Sequence, residues 1–374
     1  MKKALKITLS TIAAILVAAI VVIACVWRGE LRTIRSIEQL DSDGYLYEMD
    51  YYANYDLDEV VESDIDSNSR LLEYVLSKVS RGLYKPHVEN AGSSIGCTSF
   101  HARNAEGDGW LFGRNYDMYK NPTMVVHSRP KKGYASISVV DMSHLGYSLE
   151  KLPDSFAGKA LAVASVYAPM DGMNEKGVCV SIMALPKQPS QQDTEKHDVG
   201  TTIIMRLILD RCATVEEAID LVNSYDVRHD VKAGSGYHYM VADATGDTAV
   251  IEFDKDDGWK TLVVRHPEGQ DYMHVTNHLL NPKHYTTVPD ETVGNPHSKS
   301  WWRYETVDSC LAAKGGRLTV EEAQEVLAKV HWKDLLWDTG LVEDTQFSNV
   351  YDESALTLDL RPWNDYGTTY HFSL

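Results

Sequence analysis

Cys97 is the residue whose type and surroundings point most directly to chemistry. It stands in Gly96-Cys97-Thr98-Ser99-Phe100, and Leu111-Phe112-Gly113-Arg114-Asn115-Tyr116-Asp117 follows closely. Thr and Phe suit a pleat, so the first run reads as a strand. Asn104 to Gly109 contains Asp-Gly, which supplies the positive φ of a tight turn, and Trp110 to Tyr116 reads as the returning strand. A hairpin symmetric about that turn sets Cys97 opposite Tyr116. Arg114 is then a diagonal neighbour on the same face, roughly 7–8 Å away, which a guanidinium can span. A cation beside a thiol favours the thiolate, and the thiolate is the nucleophile. Spacing alone leaves a second reading open, because free cysteines usually serve as small core hydrophobes. No histidine is placed to serve Cys97 as a base, and His101 reads as structural or surface.

The elements that must position Cys97 are mostly short strands. The pattern predicts strands at 124–127, 135–140, 160–166 and 178–183, a hairpin of 239–242 with 248–253, and strands at 274–277 and 356–360. A helix is expected from Thr201 to Cys212. Thr214-Val215-Glu216-Glu217 and Thr319-Val320-Glu321-Glu322 each open a helix with capping-box spacing. Strands, then helices, then strands argue for an α+β layered fold rather than a parallel βαβ repeat. Ahead of Cys97, Tyr45 to Met49 reads as a strand. Leu71 to Leu83 reads as a helix through Leu71, Leu72, Val75, Leu76 and Val79. Pro86 and Gly92-Ser93-Ser94 read as a connector.

The chain has 374 residues and a net charge of −18. That charge argues against nucleic acid, whose binding rests on cationic contacts to phosphate. Ile7 to Trp27 is apolar apart from Thr8, Ser10 and Thr11 and is long enough, at about 21 residues, to cross a bilayer. It reads as a signal peptide or a membrane anchor, with the body of the protein outside the cell or secreted. Val22-Ile23-Ala24-Cys25 also resembles a lipobox in which Cys25 would carry lipid. The five cysteines, Cys25, Cys97, Cys179, Cys212 and Cys310, contain no C-x-x-C pair. Neither a metal site nor a redox motif is suggested, and a free reactive thiol fits the odd count. No cofactor is expected.

Cys97-Thr98-Ser99, the Leu111 to Asp117 run, and Asp171-Gly172-Met173-Asn174-Glu175-Lys176-Gly177 together resemble the choloylglycine hydrolase family. That group of linear-amide C–N hydrolases includes bile salt hydrolases, penicillin V acylases and acyltransferase relatives. The resemblance implies an N-terminal-nucleophile fold, a four-layer αββα sandwich, in a chain that cuts itself between Gly96 and Cys97. The implied division is 1–28 for the signal peptide or anchor, 29–96 for a prosegment, and 97–374 for the N-terminal-nucleophile amidohydrolase domain. An amino-terminal subdomain is the plainer reading of the middle segment. Cutting would give Cys97 a free α-amine, whose unperturbed pKa of roughly 7.7–8.0 suits a general base near neutrality. By the same resemblance Arg114 holds the thiolate side of the site and Asp117 hydrogen-bonds the α-amine. Asn277, in Val275-Thr276-Asn277-His278, helps bind the oxyanion, a role worth ~3 kcal/mol for one donor. Arg303, in Ser300-Trp301-Trp302-Arg303-Tyr304, matches the late active-site arginine, with Lys299 nearby. Bile salt hydrolases carry an asparagine, and penicillin acylases a tyrosine, where this chain has Ala184. Its backbone N–H would complete the oxyanion hole, and the missing side chain sets this chain apart in specificity. Asn174 reads as a turn residue.

The resemblance thus implies a self-processing cysteine amidohydrolase acting on a small N-acyl amide, without metal or organic cofactor. An acyltransferase using the same acyl-enzyme, and a non-catalytic membrane-anchored binding protein of the same fold, are the alternatives. A homo-oligomer is compatible with the family. Tyr116, Tyr167, Trp301 and Trp302 are candidate pocket aromatics, although core packing is the commoner role.

Overall fold

The computed structural model describes residues 24–80, 82, 96–186, 189–230, 235–283, 296–333, 335–336 and 342–374, with scattered positions between 10 and 22. Among the described residues no helix is long and apolar enough to cross a membrane. Residues 7–9, 13, 16, 19, 20 and 23 of the expected span at 7–27, and the connector around Pro86 and Gly92-Ser94, lie outside the described residues.

After described helical positions between 10 and 26, the order is α1 (Arg28–Ser36), β1 (Glu38–Gln39), β2 (Leu46–Tyr51), α2 (Leu57–Glu62) and α3 (Asn68–Val79). The hairpin that carries Cys97 follows as β3 (Gly96–Asn104) and β4 (Trp110–Met118), then β5 (Thr123–Ser128) and β6 (Ser136–Asp141). Next come α4 (Phe156–Ala162), β7 (Asp171–Asn174), β8 (Cys179–Pro186), β9 (Asp198–Gly200), α5 (Ile203–Arg211), α6 (Val215–Asn223) and β10 (Asp226–Arg228). The remainder is β11 (Ser235–Ala242), β12 (Thr248–Asp254), β13 (Lys260–Arg265), β14 (Tyr272–Val275), α7 (Pro296–Ala313), β15 (Arg317–Leu318), α8 (Val320–Lys329), β16 (Leu335–Leu336), β17 (Val342–Asp352), β18 (Thr357–Pro362) and β19 (Tyr370–Ser373).

Two mixed sheets stack face to face. One has the order β1-β2-β5-β6-β7-β8-β11-β12-β13, and the other runs β14-β3-β4-β17-β18-β19 with β15 and β16 added at its margins. Helices α5 and α6 cover the first sheet, while α7 and α8 cover the second. The four layers explain why so many strands lack alternation: β5 and β6 are buried along their whole length, as strands covered on both faces must be. The strand expected at 160–166 is instead α4 followed by a 3-10 helix, Val163–Tyr167. Ser155 caps α4 by accepting from Gly158 N. From Ala160 to Val166 the run is apolar apart from Ser165, and periodicity does not tell helix from strand in such a run.

The β3–β4 register pairs Cys97 with Tyr116 and Ser99 with Arg114, as the symmetric hairpin required. Along β3, Cys97, Ser99 and His101 face the first sheet: Ser99 Oγ is 2.9 Å from Ser181 Oγ, and His101 Nδ1 is 2.5 Å from Thr248 Oγ1. Thr98, Phe100 and Ala102 face the other way, Phe100 and Ala102 packing with Val307, Leu311, Leu318 and Leu327 beneath the sheet. Gly113 sits opposite Phe100, and a Cβ there would land within the Phe100 ring. The glycine of the Leu111–Asp117 run is therefore there to admit that ring.

Residues before Cys97 are built into the same fold. β2 pairs in parallel with β5 over Leu46–Tyr51, and Leu46, Met49, Tyr55, Val60, Ile65 and Val75 join the main core.

Candidate active site

Cys97 is fully buried at the start of β3, with its side chain between the two sheets. Four side chains converge on it. Asn277 lies just beyond β14, and its Oδ1 accepts from Cys97 N at 2.7 Å. The same oxygen accepts from Arg303 Nη2 at 2.7 Å, and Asn277 Nδ2 donates to Ala184 O at 2.9 Å. Two donors on one side and a carbonyl on the other fix the amide orientation. Arg303, on α7, also donates through Nη1 to Cys97 O and, at 2.8 Å, to Thr98 Oγ1. Ser300, one turn back on α7, holds the Asn277 backbone by accepting from its N–H at 2.8 Å.

The Arg114 guanidinium acts on the thiol through its charge, pulling the thiol pKa down. Its Nη2 donates to Ile182 O at 2.6 Å, and its Nε is 3.7 Å from Asp171 Oδ2 on β7. Asp171 Oδ1 accepts from Asn349 Nδ2 at 2.8 Å and from Tyr351 OH. Burial, opposed by Arg114, Tyr351 and Asn349, pushes the Asp171 carboxyl up to about 6. Burial also pushes the Cys97 thiol up, outweighing the opposite pull of Arg114 and Arg303. In the uncut chain the thiol is thus held neutral beside two guanidiniums, and its activation needs a base.

Asp117 ends the set on β4, opposite Gly96. Its Oδ1 accepts from Thr345 Oγ1 at 2.6 Å, and its Oδ2 is 3.8 Å from Arg303 Nη1. Cys97 N is given to Asn277 and not to Asp117, so the contact expected for Asp117 is not made in the uncut chain. Likewise Ala184 enters the site through its carbonyl, and the Asn277 amide is turned toward that carbonyl.

Sequence reasoning missed three members of the site. Trp332 lies over Gly96: a Cβ on Gly96 would stand 2.7 Å from Trp332 Cη2 and 3.0 Å from Asp117 Cβ. Thr345 comes from β17, where the register shifts between Thr345 and Phe347. Asp171 was visible only as part of a motif, with no role attached. The first two stand far along the chain in unremarkable local sequence and become neighbours only through sheet order. Of the four candidate pocket aromatics, Tyr116 stacks on Phe347 with ring centroids 5.0 Å apart, Trp301 stacks on His278 at 4.0 Å, and Tyr167 is buried. Trp302 is 49% exposed. His101 is structural, held between Glu353 and Thr248, and Asn174 braces a turn by accepting from Lys176 N and Val178 N.

The acyl-coenzyme A:6-aminopenicillanic acid acyl-transferase family model matches residues 103–361, more than half of the chain. The chain belongs to this acyl-transferase family. Its match begins after Cys97, so the family assignment rests on the body of the fold. Among solved structures, a mutant of conjugated bile acid hydrolase from Clostridium perfringens superposes with a TM-score of 0.54 at 16% identity, covering 74% of this chain and 92% of that one. That likeness shows the fold. Penicillin V acylase from Agrobacterium tumefaciens gives a TM-score of 0.45 at 15% identity, covering 74% and 85%. No curated protein sequence matches the chain. The family expected from Cys97, Arg114 and Asp117 is the one found.

Proposed function

We propose that the protein is a self-processing cysteine amidohydrolase acting on linear N-acyl amides. The observation that carries this reading is the convergence of Asn277, Arg303, Arg114 and Asp117 on Cys97. In the self-cutting step the Cys97 thiol loses its proton and Sγ attacks the Gly96 carbonyl carbon. The Gly96–Cys97 C–N bond breaks, the nitrogen takes up a proton, and water hydrolyses the resulting thioester. The freed α-amine then removes the thiol proton, Sγ attacks the substrate amide, and the leaving amine takes that proton. Water hydrolyses the acyl-thioester and restores the thiol. Arg114 offsets thiolate charge, and Arg303 and Asn277 hold the backbone of Cys97 in place. The family's name favours a second reading, in which an amine replaces water as acyl acceptor.

Intact mass and amino-terminal sequencing of the full chain test the proposal. The expected result is a cut at Gly96–Cys97 and amidase activity, both lost in Cys97→Ala. A chain that stays whole, with activity that survives Cys97→Ala, refutes it. Product analysis with and without added amine separates hydrolase from acyltransferase.

A further inference from the structure

Glu252 interrupts the apolar run Ala249-Val250-Ile251-Glu252-Phe253 on β12, and it is fully buried. A carboxylate withdrawn from water is costly unless hydrogen bonds replace its hydration. Here Oε1 accepts from Leu280 N at 2.6 Å and Oε2 accepts from Asn281 N at 3.0 Å. Both donors lie in the stretch that follows β14, shortly past Asn277. His238, on the paired strand β11, is fully buried as well. Its Nε2 donates to Thr276 O at 2.9 Å, and its Nδ1 lies 3.4 Å from Glu252 Oε1. A carbonyl only accepts, so the Thr276 contact fixes a proton on Nε2. The first sheet thus grips the chain immediately before Asn277 and again shortly after it.

Helix α7 holds the same segment from the other side. Thr276 Oγ1 donates to Ser300 O at 2.9 Å, and Asn277 N donates to Ser300 Oγ at 2.8 Å. The Ala184 carbonyl that receives Asn277 Nδ2 also belongs to the β11 side: Ala184 on β8 pairs with Tyr237, the residue before His238. The strand that carries His238 therefore sets the spacing between Asn277 and Ala184. On the amidase reading above, on which this inference rests, Asn277 Oδ1 also holds the nitrogen that becomes the α-amine.

We infer that His238 and Glu252 are positioning residues, a clasp on the first sheet that seats Asn277 against Cys97 N and Ala184 O. Both act on the reaction through Asn277. A buried pair that served only the fold would lower activity whether or not Asn277 were present, and that difference separates the two roles.

The test uses the full chain, first checked by intact mass for the cut at Gly96–Cys97, with phenylacetyl-4-nitroanilide as the amide. Asn277→Ala is expected to lower kcat by about 100-fold. Glu252→Gln keeps the shape but places an NH2 against a backbone N–H or against His238, and it lowers kcat by about tenfold with KM held. In the Asn277→Ala background the same change costs no more than about twofold. A fall of equal size in both backgrounds, or no fall in either, overturns the inference. Should Glu252→Gln not fold, His238→Phe takes its place in the cycle, since it removes the bond to Thr276 O and leaves Leu280 and Asn281 bonded. If neither folds, the pair serves the fold as a whole and the inference is overturned. Hydrogen exchange read by mass spectrometry gives a measure that needs no turnover. Glu252→Gln is expected to speed exchange of the amides in 276–281 by about tenfold, the worth of one charged hydrogen bond. In a chain that stays uncut the amidase reading fails, and in that chain, or in one that leaves the anilide whole, exchange alone decides the clasp. Faster exchange confined to 276–281 upholds it, and unchanged exchange, or faster exchange throughout both sheets, overturns it.

Discussion

Arg114 is a fully buried cation whose charge is shared between the Cys97 thiol and Asp171, and that sharing has a measurable signature. The Asp171 carboxyl sits at about 6 in the folded chain, above its unfolded value of roughly 3.9. Between about pH 4 and 6 the folded state therefore binds more protons at this position than the unfolded state does. Stability from this group falls as pH rises through that window, and the full range is worth ~3 kcal/mol. Asp171→Asn removes the titration while keeping the shape. Wild type is expected to lose up to ~3 kcal/mol relative to Asp171→Asn between about pH 4 and 6, with the two running parallel above it. Denaturant melts at several pH values measure this. A difference that is flat across the window would show that Asp171 does not titrate there.

At the scale of elements, the site is assembled by strand register. The extra residue Gln346 in β17, between Thr345 opposite Asp117 and Phe347 opposite Tyr116, sets which side chains turn inward. It brings the Thr345 hydroxyl onto Asp117 at 2.6 Å and makes it accept from Trp332 N at 2.8 Å. Thr345→Val keeps the shape and removes both bonds, leaving a buried carboxylate and a buried N–H short of a partner. We expect a loss of ~2 kcal/mol in stability and slower cutting at Gly96–Cys97, read by denaturant melts and by mass against time. Unchanged cutting would exclude a role for Thr345 in holding Asp117. The hairpin itself was legible in the sequence because two strand-like runs flank a short polar stretch and period 2 fixes a face, so Cys97, Tyr116 and Arg114 could be placed from local rules; the positive φ expected of Asp-Gly is not used, since neither Gly107 nor Gly109 adopts one. Asn277 and Arg303 were legible only through family resemblance, as their strand-end and helical settings look ordinary. Trp332 and Thr345 were not legible, since nothing near them in the chain encodes a contact with Gly96 or Asp117. The helix at 156–162 was misread because the run from Ala160 to Val166 is apolar apart from Ser165 and shows no helical period.

At the scale of the molecule, the residues before Cys97 are structural components of the domain they precede. β2 lies between β1 and β5 in the first sheet. Leu46 and Met49 are fully buried, Val60 and Val75 nearly so, and Tyr55 OH donates to Asp210 at 2.8 Å in a cluster with Arg206. Arg211 pairs with Asp58 at 2.6 Å, and Lys159 Nζ donates to Ile37 O at 2.7 Å. Each fully buried aliphatic side chain is worth ~1.5–3 kcal/mol, so even the four named amount to roughly 6–12 kcal/mol. Releasing this segment would expose that surface, open the β5 edge and strand Asp210 beside Arg206 without its tyrosine. Breaking one peptide bond at Gly96–Cys97 removes none of these contacts. The cut protein is therefore expected to run as one particle in gel filtration under native conditions and to separate into two chains only in denaturant. Recovery of an active carboxyl-terminal chain free of the segment would overturn this. The expected outcome makes residues 29–80 a permanent part of the fold, whose first sheet, core and buried ion pair include them.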